Sequence, residues 1–136
     1  MSYMMDTCTF IWYIETSSRL PSGVRELIDT TAYVSVSTAT FWEIAIKQST
    51  GKLDLEMTIP ELEAKCNENN ITILQLELAY FERIKKLPLI HCDPFDRIII
   101  AAATEEDLTL LTCDSEIVKY DGVKTLWQIT PSPKED

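Results

Sequence analysis

The sequence predicts an α/β fold in which a central, mostly parallel five-stranded sheet is sandwiched between helices, giving three layers. Two observations lead to this fold class. Short apolar or β-branched segments alternate with segments of helical periodicity, and strands that alternate with helices pair in parallel through right-handed crossovers. The length of 136 residues suits one hydrophobic core rather than two. We therefore expect a single domain over residues 1–129 and a flexible C-terminal tail over residues 130–136.

Capping and breaking residues divide the chain into its elements. Ser37 can cap a helix that Gly51 ends, Pro60 suits the start of another, and Asp93 followed by Pro94 opens the last long one. The predicted order is β-α-α-β-α-α-β-α-α-β-α-β. The strands, which are short apolar or β-branched runs, are residues 2–5, 32–36, 71–76, 108–112 and 123–127. The helices are residues 7–15, 24–30, 38–48, 59–69, 77–86 and about 93–107, with a further short helix before the last strand.

The composition limits the classes of function. The formal charge of -10 argues against a protein that holds nucleic acid on a broad basic surface, because affinity for phosphate is largely cationic. It is compatible with a site where bound metal cations supply the positive charge. The first residues carry no signal segment, and the longest apolar run, residues 98–103, is too short to span a bilayer. We expect a cytoplasmic protein with no membrane partner.

The four cysteines show no CxxC pair and no zinc-ligand spacing, and they are expected to be reduced and mostly buried. A zinc site built on His91 and Cys92 is a weak alternative, since the two are adjacent and the chain has no second histidine.

Four isolated carboxylates fall near one edge of the predicted sheet. Asp6 and Asp114 follow the first and fourth strands, Glu43 lies in the helix after the second strand, and Asp96 lies in the first turn of the helix that precedes the fourth. Ligands of open α/β sheets bind beyond the carboxyl ends of the strands. Each residue also has an ordinary structural explanation: capping for Asp6 and Asp114, a capping box or an ion pair with Lys47 for Glu43, and support of Asp93 for Asp96.

A cluster of these carboxylates favours a bound cation. Two carboxylates about 5 Å apart repel by roughly 3 kcal/mol at an effective dielectric of about 20, and a cation relieves that repulsion. Oxygen ligands alone favour Mg²⁺ or Mn²⁺, which could activate water and stabilise a leaving oxygen in phosphodiester cleavage. The hydroxyls of Thr7, Thr112 and Ser115 could orient waters or phosphate oxygens, or simply cap. Lys47 and Arg97 are the candidates for contact with phosphates.

Four motifs carry a resemblance to a known family. They are Met-Asp-Thr at residues 5–7, Trp-Glu-Ile-Ala-Ile-Lys at 42–47, Asp-Pro-Phe-Asp-Arg at 93–97 and Leu-Thr-Cys-Asp at 111–114. In this order they resemble the motifs of PIN-domain ribonucleases, and most closely those of VapC-type toxins of bacterial toxin–antitoxin pairs. The resemblance covers residues 2–128 and implies a PIN-like sheet sandwiched by helices.

The resemblance also implies roles and partners. Asp6, Glu43, Asp96 and Asp114 would bind the Mg²⁺ or Mn²⁺ and carry catalysis, with Asp93 in the outer shell. The expected activity is endonucleolytic cleavage of RNA by the toxin of a type II toxin–antitoxin pair. The expected partners are the RNA substrate, a cognate antitoxin that covers the cleft, and a second copy of the chain in a homodimer. The sequence departs from many relatives at Cys8, where a histidine is common, and at Cys113, where a small residue is common.

Competing functions remain open at this point. A non-catalytic metal- or RNA-binding module, either a silent PIN-like domain or a receiver-like domain, could use the same carboxylates. A receiver needs an aspartate at the end of a middle strand, and the third strand here ends in Gln-Leu-Glu at 75–77, which weakens that version. An aspartyl-phosphate phosphatase needs a second acid two residues after the first, where this chain has Cys8. An exposed Trp12 beside the cleft would mark a groove for an antitoxin helix or a dimer partner.

Overall fold

The computed structural model describes residues 1–90 and 93–127, and its five strands form one sheet. The strands are β1 (Ser2–Met5), β2 (Tyr33–Ser37), β3 (Ile71–Leu74), β4 (Thr109–Leu111) and β5 (Thr125–Leu126). They lie in the order β3-β2-β1-β4-β5, and all four pairings are parallel. The predicted α/β class and five-stranded parallel sheet are therefore confirmed. The predicted tail, residues 130–136, and the zinc alternative at His91 and Cys92 lie outside the described residues.

Six α-helices connect the strands in the part of the chain that the structure describes, and three of them begin where Ser37, Pro60 and Asp93 indicate. Thr58 and Glu61 form a reciprocal capping box, the Ser37 hydroxyl accepts from Ala39 N, and Asp93 caps the helix that Pro94 opens. The short helix expected before β5 is a single 3₁₀ turn, Ile117–Lys119. The α-helices are α1 (Thr7–Ile14), α2 (Ser22–Thr30), α3 (Thr38–Ser49), α4 (Ile59–Glu68), α5 (Leu78–Ile84) and α6 (Pro94–Glu105).

The core is split into two clusters, one on each face of the sheet. Strand β1 shows this most directly, since Tyr3 and Met5 belong to one cluster and Met4 to the other, as expected from the alternation of side chains along a strand. Apolar residues from α1, α2 and α4 pack in the first cluster. The run from Ile98 to Ala103 in α6, together with Tyr80 of α5, packs in the second. The three predicted layers follow from this arrangement.

Two cysteines are more exposed than the sequence predicts. Cys66 is buried in α4, but Cys8 and Cys113 are exposed, so the prediction of mostly buried thiols is wrong for these two. Both lie where strands end, Cys8 two residues after Asp6 and Cys113 just beyond β4, at an edge of the sheet that the helices leave open. Among the helices described, none has the length and apolar content that crossing a bilayer requires.

Candidate active site

A pocket of about 270 Å³ lies at the edge where β1 and β4 end. We call it the acidic pocket. It brings together all four carboxylates singled out in the sequence, because β1 and β4 are neighbours in the sheet and the first turns of α1 and α6 and the middle of α3 face the same edge. The acidic pocket is lined by Asp6, Thr7, Cys8, Glu43, Lys47, Asp93, Asp96, Cys113 and Asp114.

Asp6 is buried at the pocket floor, with 4% of its surface exposed. It is the N-cap of α1, because its Oδ1 accepts from Thr9 N at 2.9 Å. This is the capping role that the sequence suggests for Asp6. Its Oδ2 accepts from Thr112 Oγ1 at 2.6 Å. Burial raises the pKa of Asp6, the hydrogen bonds from Thr112 and Thr9 oppose that rise, and the nearby Asp114 adds to it. These hydrogen bonds hold the Asp6 carboxylate in one orientation, and its burial removes it from water.

Glu43 is equally buried and has only one of its two oxygens partnered. Its Oε2 accepts from Lys47 Nζ at 2.8 Å, so the ion pair between residues one helical turn apart is present. Its Oε1 is buried with no hydrogen-bond partner among the described residues. The hydrogen bond to Glu43 is the main cause that raises the pKa of Lys47. A buried carboxylate oxygen without a donor is costly, which makes this atom a natural cation ligand.

Asp93, Asp96 and Asp114 complete the acidic wall and are half-buried. Asp93 Oδ1 accepts from the backbone N–H groups of Phe95, at 2.8 Å, and Asp96, at 3.2 Å, and so caps α6. Asp114 Oδ1 accepts from Glu116 N at 2.8 Å. Asp6 and Asp93 therefore cap helices and also line the acidic pocket, whereas Asp114 accepts from the backbone of the turn that follows it.

Two of the predicted hydroxyls lie at the site and one does not. Thr112 is buried and links the Asp6 carboxylate to the backbone of Asp114, since its hydroxyl donates to Asp6 Oδ2 and accepts from the backbone N–H of Asp114 at 3.0 Å. Thr7 lines the acidic pocket and shares a hydrogen bond of 3.0 Å with the Thr40 hydroxyl. Ser115 is exposed and lies outside the pocket lining.

Arg97 is turned away from the position that the sequence suggests. Its guanidinium donates to the carbonyl oxygens of Pro88, at 2.9 Å, and Ile84, at 3.2 Å, and to the Tyr120 hydroxyl at 3.3 Å. These contacts tie the end of α5 and the segment after it to α6. Arg97 is not part of the pocket lining, in contrast to Lys47.

The pocket also contains residues that sequence reasoning did not assign to it. Cys8 and Cys113 line the wall, and their positions next to Thr7 and Asp114 in the chain were the available signal. Burial and the neighbouring Asp6 raise the pKa of Cys8 to about 11.

Trp42, which precedes Glu43, is 58% exposed and packs edge-on against Phe95 at 5.0 Å between ring centroids.

Trp12 does not lie exposed beside the acidic pocket, so it does not mark a groove there for an antitoxin helix or a dimer partner. It is half-buried, packs against the first core cluster and lies 6.1 Å from Trp127 between ring centroids. It is not among the residues that line the acidic pocket.

The residues of the acidic pocket fit a hard divalent cation by the chemistry of their donors. Carboxylate oxygens are the preferred ligands of Mg²⁺ and Mn²⁺. The buried Glu43 Oε1 needs a positive partner, and the repulsion between Asp6 and Asp114 would be relieved by one. Within residues 1–90 and 93–127, however, no three aspartate, glutamate, histidine or cysteine side chains are already grouped closely enough to hold a metal ion.

Comparison with known proteins identifies a family by sequence and a shared fold by structure. Residues 3–123 match the PIN domain family. Three solved structures of similar fold are VapBC2 from Rickettsia felis bound to a promoter DNA fragment (TM-score 0.68, 15% identity, 94% of this chain and 100% of that one), DNA-bound VapBC from Salmonella typhimurium (0.65, 18%, 93% and 97%) and FitAcB from Neisseria gonorrhoeae (0.60, 18%, 91% and 96%). At these identities the likeness shows a shared fold. No curated protein matches the sequence.

Proposed function

The chain belongs to the PIN domain family, and we propose that it is a metal-dependent endoribonuclease, the toxin of a type II toxin–antitoxin pair. One observation carries the proposal. Four carboxylates from four separate parts of the chain line one pocket at the carboxyl edge of a parallel sheet, and one of them has a buried oxygen that no described residue hydrogen-bonds. A structural cap does not need three other carboxylates beside it, whereas a cation site does.

The roles of the residues follow from their positions. Asp6, Glu43, Asp96 and Asp114 would hold Mg²⁺ or Mn²⁺, and Asp93 would support them from the cap of α6. Bound Mg²⁺ or Mn²⁺ supplies the positive charge that activates water and stabilises the leaving oxygen of a phosphodiester. Thr112 keeps Asp6 in its orientation by donating to Oδ2. Thr7 and Lys47, the hydroxyl and the cation in the lining, are the groups available to orient a phosphate oxygen.

RNA is the proposed substrate because of the family resemblance of the four motifs. With a formal charge of -10, the chain has little general attraction for phosphates, so the cation site must supply the local positive charge. The similarity to VapBC complexes supports an antitoxin as a second partner. A homodimer is also proposed, and the molar mass of the purified protein in solution tests it.

Cleavage of a mixed set of single-stranded and structured RNAs tests the proposed function. The purified protein is assayed with EDTA, Mg²⁺ or Mn²⁺ beside two variants, Asp96→Asn in the acidic pocket and Asp121→Asn at an exposed aspartate outside it. We expect cleavage that needs metal, survives in Asp121→Asn and is lost in Asp96→Asn. Equal cleavage by both variants would mean that the pocket is not the catalytic site.

A non-catalytic metal- or RNA-binding module is the second candidate. Two observations favour it. Lys47 already neutralises Glu43, and no three potential ligands are grouped among the described residues. Turnover separates the two candidates. An enzyme cleaves many equivalents of RNA, whereas a binding module protects one equivalent and releases no product.

A further inference from the structure

Lys47 carries the one positive charge among the described residues that line the acidic pocket. Its ammonium lies 2.8 Å from Glu43 Oε2, on the same carboxylate as Oε1, the oxygen available to a divalent cation. A divalent cation at Oε1 and the ammonium at Oε2 would repel each other, because two positive charges would lie on one carboxylate. The ion pair therefore affects any metal that uses Glu43.

The two partners of this ion pair differ in their freedom to move. The Lys47 side chain is 46% exposed, on a long flexible stem, and can move its ammonium into solvent. The Glu43 side chain is 6% exposed, and its other oxygen is buried with no hydrogen-bond partner in the part of the chain that the structure describes. Lys47 is thus the partner that can leave, and Glu43 is the partner that requires a replacement cation when it does.

We propose that Lys47 is a positioning residue that neutralises Glu43 in the metal-free protein and is displaced from it when a divalent cation binds. This inference rests on the proposed function and specifies how its metal site is controlled. Displacement makes metal binding weaker than the carboxylates alone would give.

The test is a calorimetric titration of Mn²⁺ into four proteins: the wild type, Lys47→Met, Glu43→Gln and the double variant. Methionine keeps most of the aliphatic stem and removes the charge, and Lys47 is exposed, so folding is checked simply by the melting temperature. We expect Lys47→Met to bind Mn²⁺ about three- to tenfold more tightly than the wild type, the size that follows when a partly buried ion pair no longer has to be broken.

The Glu43→Gln background separates displacement from simple charge repulsion. If Lys47 acts by occupying Glu43, removing its charge changes the Mn²⁺ affinity of Glu43→Gln by less than about twofold. Equal tightening in both backgrounds, or no tightening in the wild-type background, overturns the inference and leaves the metal site of the proposed function intact. If neither the wild type nor Lys47→Met binds Mn²⁺, the metal site itself is refuted and the inference falls with it.

Discussion

The Thr112 hydroxyl connects the Asp6 carboxylate, which follows β1, to the backbone of Asp114, which follows β4. Its Oγ1 donates to Asp6 Oδ2 at 2.6 Å and accepts from Asp114 N at 3.0 Å. We expect Thr112→Val to destabilise the protein by about 1 to 3 kcal/mol, because a buried acceptor and a backbone donor both lose their partner. Urea unfolding measures the loss. Thr112→Ser keeps the hydroxyl and is the matched control, with a smaller loss from one missing methyl group; equal losses in both variants would rule out the hydrogen bonds as the cause.

Asp6→Asn is expected to stabilise the protein while abolishing cleavage. The asparagine can still cap α1 from its carbonyl oxygen, and it removes a charge whose burial is unfavourable. The expected gain at neutral pH is about 0.5 to 2 kcal/mol, a usual size when a strained functional group is replaced. Thermal unfolding measures it, and a lower melting temperature than that of the wild type contradicts it.

The same residue predicts the sign of a pH dependence. Because the pKa of Asp6 is raised in the folded state, the folded protein keeps a proton that the unfolded chain, with its ordinary value of 3.8, has lost. The contribution of Asp6 to stability therefore falls as the pH rises above about 3.8 and through the raised value. The melting temperature of Asp6→Asn should exceed that of the wild type by a margin that grows between pH 4 and pH 8, since the other carboxylates are common to both proteins. A difference in melting temperature that shrinks between pH 4 and pH 8 would contradict the prediction.

Arg97 is expected to matter for stability rather than for contact with RNA. Its guanidinium donates to two carbonyl oxygens and one hydroxyl, so Arg97→Met should cost about 1 to 3 kcal/mol. Arg83→Met removes an exposed arginine from its ion pair with Glu105 and should cost less than about 1 kcal/mol. Urea unfolding compares the two. At a temperature where the variant is folded, Arg97→Met should leave the KM for RNA cleavage unchanged. A raised KM would indicate that Arg97 contacts RNA.

Cys8 is expected to react slowly with thiol reagents although its residue is exposed. Burial of the thiol in the pocket wall and the nearby Asp6 raise its pKa from 9.0 to about 11, which leaves about a hundredfold less thiolate at neutral pH. Alkylation with iodoacetamide, followed by mass spectrometry of the Cys8 peptide, measures the rate. The same peptide in urea-unfolded protein is the control and should react much faster; equal rates would show that the pocket does not perturb the thiol.

Much of the fold is visible in local sequence signals. Ser37 and Asp93 start helices at the residues where the sequence places a cap, because capping depends on a few neighbouring atoms. The strand edges are less well predicted: β5 is only Thr125–Leu126, since the length of a strand depends on its neighbour as well as on its own residues.

The candidate site is predictable in its carboxylates and not in its contacts. The position of Asp6 after β1 and of Asp114 after β4 brings them to one edge in any parallel sheet that pairs these strands. The contacts of Arg97 depend instead on how the end of α5 folds back onto α6, which no local pattern records. The exposure of Cys8 and Cys113 likewise depends on where the helices leave the sheet edge open. Sequence alone also could not separate capping from metal binding at Asp6, because the same side chain is placed for both.

The central position of β1 has a consequence for the order in which the site is assembled during synthesis. The first strand to leave the ribosome is paired on one side by residues 33–36 and on the other by residues 109–111. Asp6 therefore emerges long before Thr112 and Asp114, which complete its surroundings. A nascent chain that ends before these residues already carries Asp6, Glu43 and Asp96 but lacks β4, Thr112 and Asp114. The acidic pocket is therefore incomplete until nearly the whole domain has been translated.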